Sequence, residues 1–160
     1  MNTKNLLLDL KIGGEILICS HEEDIIIVKL EDGEDVHSSL IEVSKRYDVK
    51  NGWVLGGVGI LREFTLGYFT GKEYIKKYFE KPHELLSLSG SITIGTEVPI
   101  HLHCSVSSDQ FEAFGGHLFK GTVNVLNEVL IRKFTKIELG RRLNPKTGYF
   151  ELDIKCSEEM

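Results

Sequence analysis

The chain has 160 residues, of which 41% are hydrophobic and 27% charged, and its formal net charge is −5. The hydrophobic share is too high for intrinsic disorder, no apolar run is long enough to form a membrane-spanning helix, and the length suits one ordinary domain. The acidic balance opposes direct affinity for a polyanion, because nucleic-acid binding draws on Lys and Arg releasing counterions.

At the amino terminus, MNTKNLLLDLKIGGEILI carries Asp9 and Lys11 inside its apolar stretch and is followed by no small-residue cleavage site. No signal peptide is expected, and the cytoplasm is the expected location. Cys19, Cys104 and Cys156 are odd in number and include no CxxC pair, so reduced thiols are expected in place of a disulfide framework or a zinc ribbon. Two β-rich runs, 6–18 and 24–30, flank the polar turn Ser20-His21-Glu22-Glu23 and predict a hairpin. Asp32 then stands where it can cap a helix. Its first turn would carry Glu34 and Asp35, its buried stripe Val36, Leu40, Val43 and Tyr47, and its end would fall between residues 47 and 51.

From Gly52 onward the pattern is β-rich: GWVLGGVGILREFTLGYF, KEYIKKYF, ELLSLSGSITIG, VPIHLHCSVS, FEAFGGHLF and TVNVLNEVLIRKF. KEYIKKYF would also suit a helix and is read as a strand. Most connections are too short for a crossover helix. The expected fold is therefore α+β, a single domain over residues 1–160 with a mainly antiparallel sheet and one or two packed helices. In the segment 132–146, Arg132, Lys133, Lys136, Arg141, Arg142 and Lys146 oppose only Glu138. A solvated strand edge explains this excess better than a phosphate-binding patch.

The chemistry concentrates in HLHCSVSSDQFEAFGGH. Strand residues two apart share a face, so His101, His103 and Ser105 point one way and Ile100, Leu102, Cys104 and Val106 the other, which removes Cys104 from the ligand set. If the next strand returns antiparallel through an odd-length turn near Asp109 or Gln110, His117 joins the face of His101 and His103. An even-length turn would put it behind the sheet unless a bulge at Gly115-Gly116 restored the parity. Three neutral imidazoles suit Zn²⁺ first and other divalent transition metals next, and leave one coordination position open. Glu128 is a candidate fourth ligand or general base, although a solvent-facing strand position explains it better.

Other signals carry less. GGVGILRE lacks the Gly-Lys-Ser/Thr ending of a phosphate loop and no helix follows it. Arg62 and Glu63 read as an exposed strand pair, and Ser38, Ser39, Ser87 and Ser89 lie in no nucleophile context. His21, His37 and His83 are expected at the surface, and nothing in the sequence activates Cys104.

The succession HLHCSVSSDQFEAFGGHLFKGTV resembles the plants-and-prokaryotes-conserved (PPC) domain, found in plant AT-hook proteins and as stand-alone prokaryotic proteins. With GWVLGGVGILREFTLGYF, HELLSLSGSITI and NEVLI in the expected order, the likeness spans about residues 15–144. The resemblance implies a strongly curved sheet, a homotrimer, and a fold related to α-acetolactate decarboxylase, which holds a metal through histidines. It strengthens the assignment of His101, His103 and His117 as metal ligands without transferring a reaction. The chain has no AT-hook; Gly140-Arg141-Arg142 lacks the proline of that element. The expected function is a trimeric PPC-domain protein with a three-histidine metal site and a DNA-associated or regulatory role. The alternative is a zinc-dependent hydrolase or lyase acting on a small molecule.

Overall fold

Ile26, Val28 and Leu30 are buried while Ile27 and Lys29 between them are exposed, the period-2 signature of a strand with one face on a core. The same alternation recurs through most of the chain in the computed structural model, which describes residues 11–12, 15–16 and 18–155, with side-chain environments from residue 18 onward. The expected strand residues 6–10 and Cys156 lie outside the described residues.

Two short strands, β1 (Lys11–Ile12) and β2 (Glu15–Ile16), pair with each other. β3 (Ile18–Glu22) and β4 (Ile25–Glu31) form the first hairpin of the main sheet. Its turn is Glu23-Asp24, with Glu23 at φ 53°, so Ser20 and His21 belong to the strand and not to the expected turn. Helix α1 (Val36–Arg46) follows, and its cap is Asp35, whose carboxylate accepts from Ser38 N–H at 2.9 Å. The expected cap, Asp32, is held elsewhere: it pairs with Arg62 and accepts from Val125 N–H at 2.9 Å. Between the two aspartates Gly33 turns at φ +90° and donates to Val123 O, so the helix cannot begin before that turn is complete.

The remaining strands are β5 (Asn51–Phe69), β6 (Tyr74–Phe79), β7 (His83–Thr93), β8 (Ile100–Ser107), β9 (Ala113–Phe134), β10 (Glu138–Leu143) and β11 (Phe150–Lys155). KEYIKKYF is a strand, as read. FEAFGGHLF and TVNVLNEVLIRKF, expected as two strands, are one, because Gly121 between them is buried against Leu61 and Leu118 and makes no turn. The β10–β11 hairpin was not anticipated.

Seven strands form one sheet in the order β3-β4-β9-β8-β7-β5-β6, all pairs antiparallel, and β9 also pairs with β5. β5, β7, β8 and β9 therefore close on one another. Closure requires the long strands, of 19 and 22 residues, to coil, and the β5–β9 ladder shifts register at Val54/Gly56, Gly59/Leu61 and Arg62/Thr65 to allow it. At the second of these, Gly59 adopts φ +146° and an added Cβ would fall 2.2 Å from Asn127 Oδ1, so only glycine fits.

The interior is filled by Val28, Leu30, Leu61, Phe64, Leu102, Leu118 and Ile131, each at most 2% exposed, with Val36, Leu40 and Val43 of α1 closing it. The expected α+β arrangement holds, with one helix. Among the described residues no helix is long and apolar enough to cross a membrane.

Candidate metal centre

The β8–β9 hairpin sets the geometry of the site. Ser107 pairs with Ala113, so the turn takes residues 108–112, an odd number, and His103 stands directly opposite His117 across the ladder. Paired residue numbers sum to an even value, which puts His101, His103 and His117 on one face while Leu102 and Cys104 enter the core. Close packing of the strands depends on glycine: a Cβ at Gly115 would lie 2.3 Å from Cys104 O.

One candidate ligand nitrogen of each histidine lies within 4.8 Å of the others. Ring centroids are 5.2 Å apart for His101 and His103, 4.8 Å for His101 and His117, and 5.3 Å for His103 and His117. Burial lowers the proton affinity of all three. His101 falls to about 4 through burial first, then the Arg141 charge, His103 and His37. His117 also falls to about 4, through burial and then the neighbouring histidines and Lys76. His103, the most exposed, is lowered by partial burial. These shifts favour the neutral form of all three, with lone pairs available, and His117 Nδ1 is buried without a hydrogen-bond partner.

His117 rests on Phe119 at 4.3 Å and Tyr74 at 5.3 Å between centroids. A cavity of about 330 Å³ opens beside it, lined among others by His37, Tyr74, His101, Tyr149 and Phe150. A second, of about 380 Å³, shares His101 and Tyr74 and reaches Trp53, Ser91 and Arg141.

The other candidates separate from this cluster. Glu128 is exposed, opposite Lys29 on one side and Val58 on the other, and is not part of the histidine group. Burial pushes the Cys104 thiol up to about 12, which keeps it protonated. Ser89 donates to Val54 O, and Ser38 and Ser39 bond Asp35 and Glu34. Arg62 pairs with Asp32 and Asn124, not with Glu63.

Two surface expectations are corrected. His37 is half-buried and lines the smaller cavity, its Nδ1 without a partner, and burial lowers its pKa. Ile41, four residues on, packs against the core and was the available signal that the buried stripe of α1 is wider than Val36 and Leu40 suggest. His83 is half-buried against Phe64, Phe79 and Phe114. Sequence reasoning also missed Tyr74, Tyr149 and Arg141 as cavity walls.

Three of the six cations in the basic segment are ion-paired. Arg132 pairs with Asp24 at 3.2 Å, Lys133 with Asp48 at 4.0 Å and Arg142 with Asp153 at 3.6 Å, while Arg141 turns into the larger cavity.

Comparison with known proteins gives the family. A structure from Bacteroides thetaiotaomicron, described as a proposed DNA-binding protein, matches with TM-score 0.77 and 24% identity over 86% of this chain and 96% of that one. A plant- and prokaryote-conserved (PPC) protein of Pyrococcus horikoshii matches with TM-score 0.73 and 21% identity over 92% and 100%. A metal-containing protein of Archaeoglobus fulgidus matches with TM-score 0.71 and 26% identity over 86% and 97%. Among curated proteins, the bifunctional protein GlmU of a Synechococcus strain is 29% identical over 131 residues. That stretch is 80% of this chain and 20% of the relative, so the chain spans about a fifth of the length of the curated relatives it matches. The model of the Plants and Prokaryotes Conserved (PCC) domain matches residues 19–135, which include all three histidines of the cluster, and the chain belongs to that family.

Proposed function

We propose that this chain is a metal-binding PCC-domain protein in which His101, His103 and His117 hold one divalent transition-metal ion, zinc foremost, and turn its open coordination position toward a small molecule in the adjoining cavities. The convergence of three neutral imidazoles within 4.8 Å carries this reading. Nitrogens bound to tetrahedral zinc at about 2.0–2.1 Å stand roughly 3.3 Å apart, a distance that modest side-chain rotation can reach from here. The residues also fit the ion chemically: the buried, unpartnered Nδ1 of His117 marks a site short of one partner. The Archaeoglobus relative is described as metal-containing, which supports the same reading.

Bound there, an ion would polarise a carbonyl or lower the pKa of a water molecule. The open position favours turnover by a hydrolase or lyase route as a second reading. Leu55, Val58 and Leu86, about half exposed at 48–49%, leave apolar area on β5 and β7 that suits contact with further copies of the chain, and the homotrimer is what the family resemblance implies. The buried Cys19 and Cys104, neither in a disulfide, are compatible with a reducing cytoplasm. A DNA-associated role draws on the likeness to the B. thetaiotaomicron protein described in those terms and is opposed by the net charge of −5.

Cobalt(II) titration tests the metal reading. One equivalent per chain should produce the visible bands of a tetrahedral nitrogen site, and His103→Ala should abolish them. Bands that persist in that variant, or none in the wild type, would contradict it.

A further inference from the structure

We infer that Arg141 makes this a site for small organic carboxylates, its guanidinium taking the carboxylate while the ion at His101, His103 and His117 takes another oxygen of the same molecule. The inference rests on the metal reading above.

Arg141 is half-buried on β10. Its Nε donates to Thr93 Oγ1 and Val98 O at 3.2 Å each, and its Nη2 donates to Ser91 Oγ at 2.7 Å. All three acceptors are uncharged. Among the described residues no carboxylate forms an ion pair with Arg141, whereas the adjacent Arg142 pairs with Asp153. A guanidinium withdrawn from water without a counter-charge is costly, so burial also lowers its proton affinity. Yet hydrogen bonds on Nε and Nη2 hold its plane fixed and leave Nη1 with no acceptor among the described residues. A planar donor edge held in place and lacking an anion suits a carboxylate.

The cavity supplies the rest. Its volume of about 380 Å³ lies at the lower end of the range for small-molecule sites, and Trp53, Phe69, Tyr74 and Tyr149 give it aromatic walls. Glu151 is the acidic residue in its lining, and that carboxylate accepts from Asn144 Nδ2 at 2.6 Å. His101 lines the same space as Arg141, and the Arg141 charge is felt at His101. A molecule seated between the aromatic walls can therefore meet both the guanidinium and the His101 side of the metal position. Arg141 also lies beyond residues 19–135, the span matched by the family model.

Calorimetric titration of zinc-loaded and metal-free protein with mandelate, which carries a hydroxyl oxygen besides its carboxylate, its neutral isostere mandelamide, and inorganic phosphate tests the assignment. Mandelate should bind the loaded protein at least tenfold more tightly than mandelamide or phosphate, and removal of zinc should weaken it. Arg141→Ala should weaken mandelate at least tenfold with bound zinc and mandelamide affinity unchanged, and Arg141→Lys should recover part of the loss. An equal loss for mandelate and mandelamide would show a packing role and overturn the inference. So would unchanged mandelate affinity in Arg141→Ala, or phosphate bound in preference to mandelate. Failure of the metal reading shows separately, as wild-type protein that takes up no stoichiometric zinc.

Discussion

At His101 and His117 every resolved influence acts in one direction: burial, the Arg141 or Lys76 charge and the neighbouring imidazoles all disfavour the proton, giving pKa values of about 4. An unfolded chain would protonate the same residues near 6.5. Between those limits the unfolded state binds more protons than the native state. The stability they contribute is therefore fully present above pH 6.5 and is lost as pH falls toward 4. For metal-free protein the urea midpoint should drop between pH 7.5 and pH 5, and the double variant His101→Gln, His117→Gln should show a smaller drop. An equal drop would assign acid sensitivity to other groups. Gly90 lies on the strand beside them, where a Cβ would fall 1.9 Å from His101 O. Gly90→Ala should lower stability by about 1–3 kcal/mol in denaturant titrations, since the backbone must move to admit the methyl group.

The β8–β9 hairpin turns that residue chemistry into a site through parity alone. Deleting Asp109 makes the turn even-length, which should move His117 off the shared face and reduce metal affinity at least a hundredfold while leaving His101 and His103 in place. Unchanged affinity in equilibrium dialysis would mean that a bulge restores the register. Parity was legible in the sequence because strand side chains alternate with a period of two, and the same rule recovered β4, while the 3.6-residue period recovered the Val36, Leu40 and Val43 stripe of α1. The helix cap was misplaced because Gly33 inserts a left-handed turn after Asp32, a backbone event that side-chain pattern does not report. β9 read as two strands because Gly121 resembles a break, although in the fold it is a packing position. The cavity walls were not legible for a different reason. Arg141 and Tyr149 reach the histidines through the unanticipated β10–β11 hairpin, and His37 through the docking of α1, so only tertiary packing brings them together.

Over the whole molecule, charge and apolar surface point to different partners. The ion pairs of Arg132, Lys133 and Arg142 cancel much of the one basic stretch on an acidic chain. No electrophoretic shift with duplex DNA is expected at 150 mM salt; a salt-sensitive shift there would restore the nucleic-acid role. The half-exposed Leu55, Val58 and Leu86 call for a covering partner, and light scattering should give about three times the chain mass of 18.1 kDa, with a monomer contradicting the trimer. The most direct measurement is an anomalous-difference map from a crystal of zinc-loaded protein collected at the zinc edge. One peak is expected per chain, about 2.0–2.1 Å from a nitrogen of each of His101, His103 and His117. Zinc bound elsewhere, with these three histidines untouched, would contradict the metal centre.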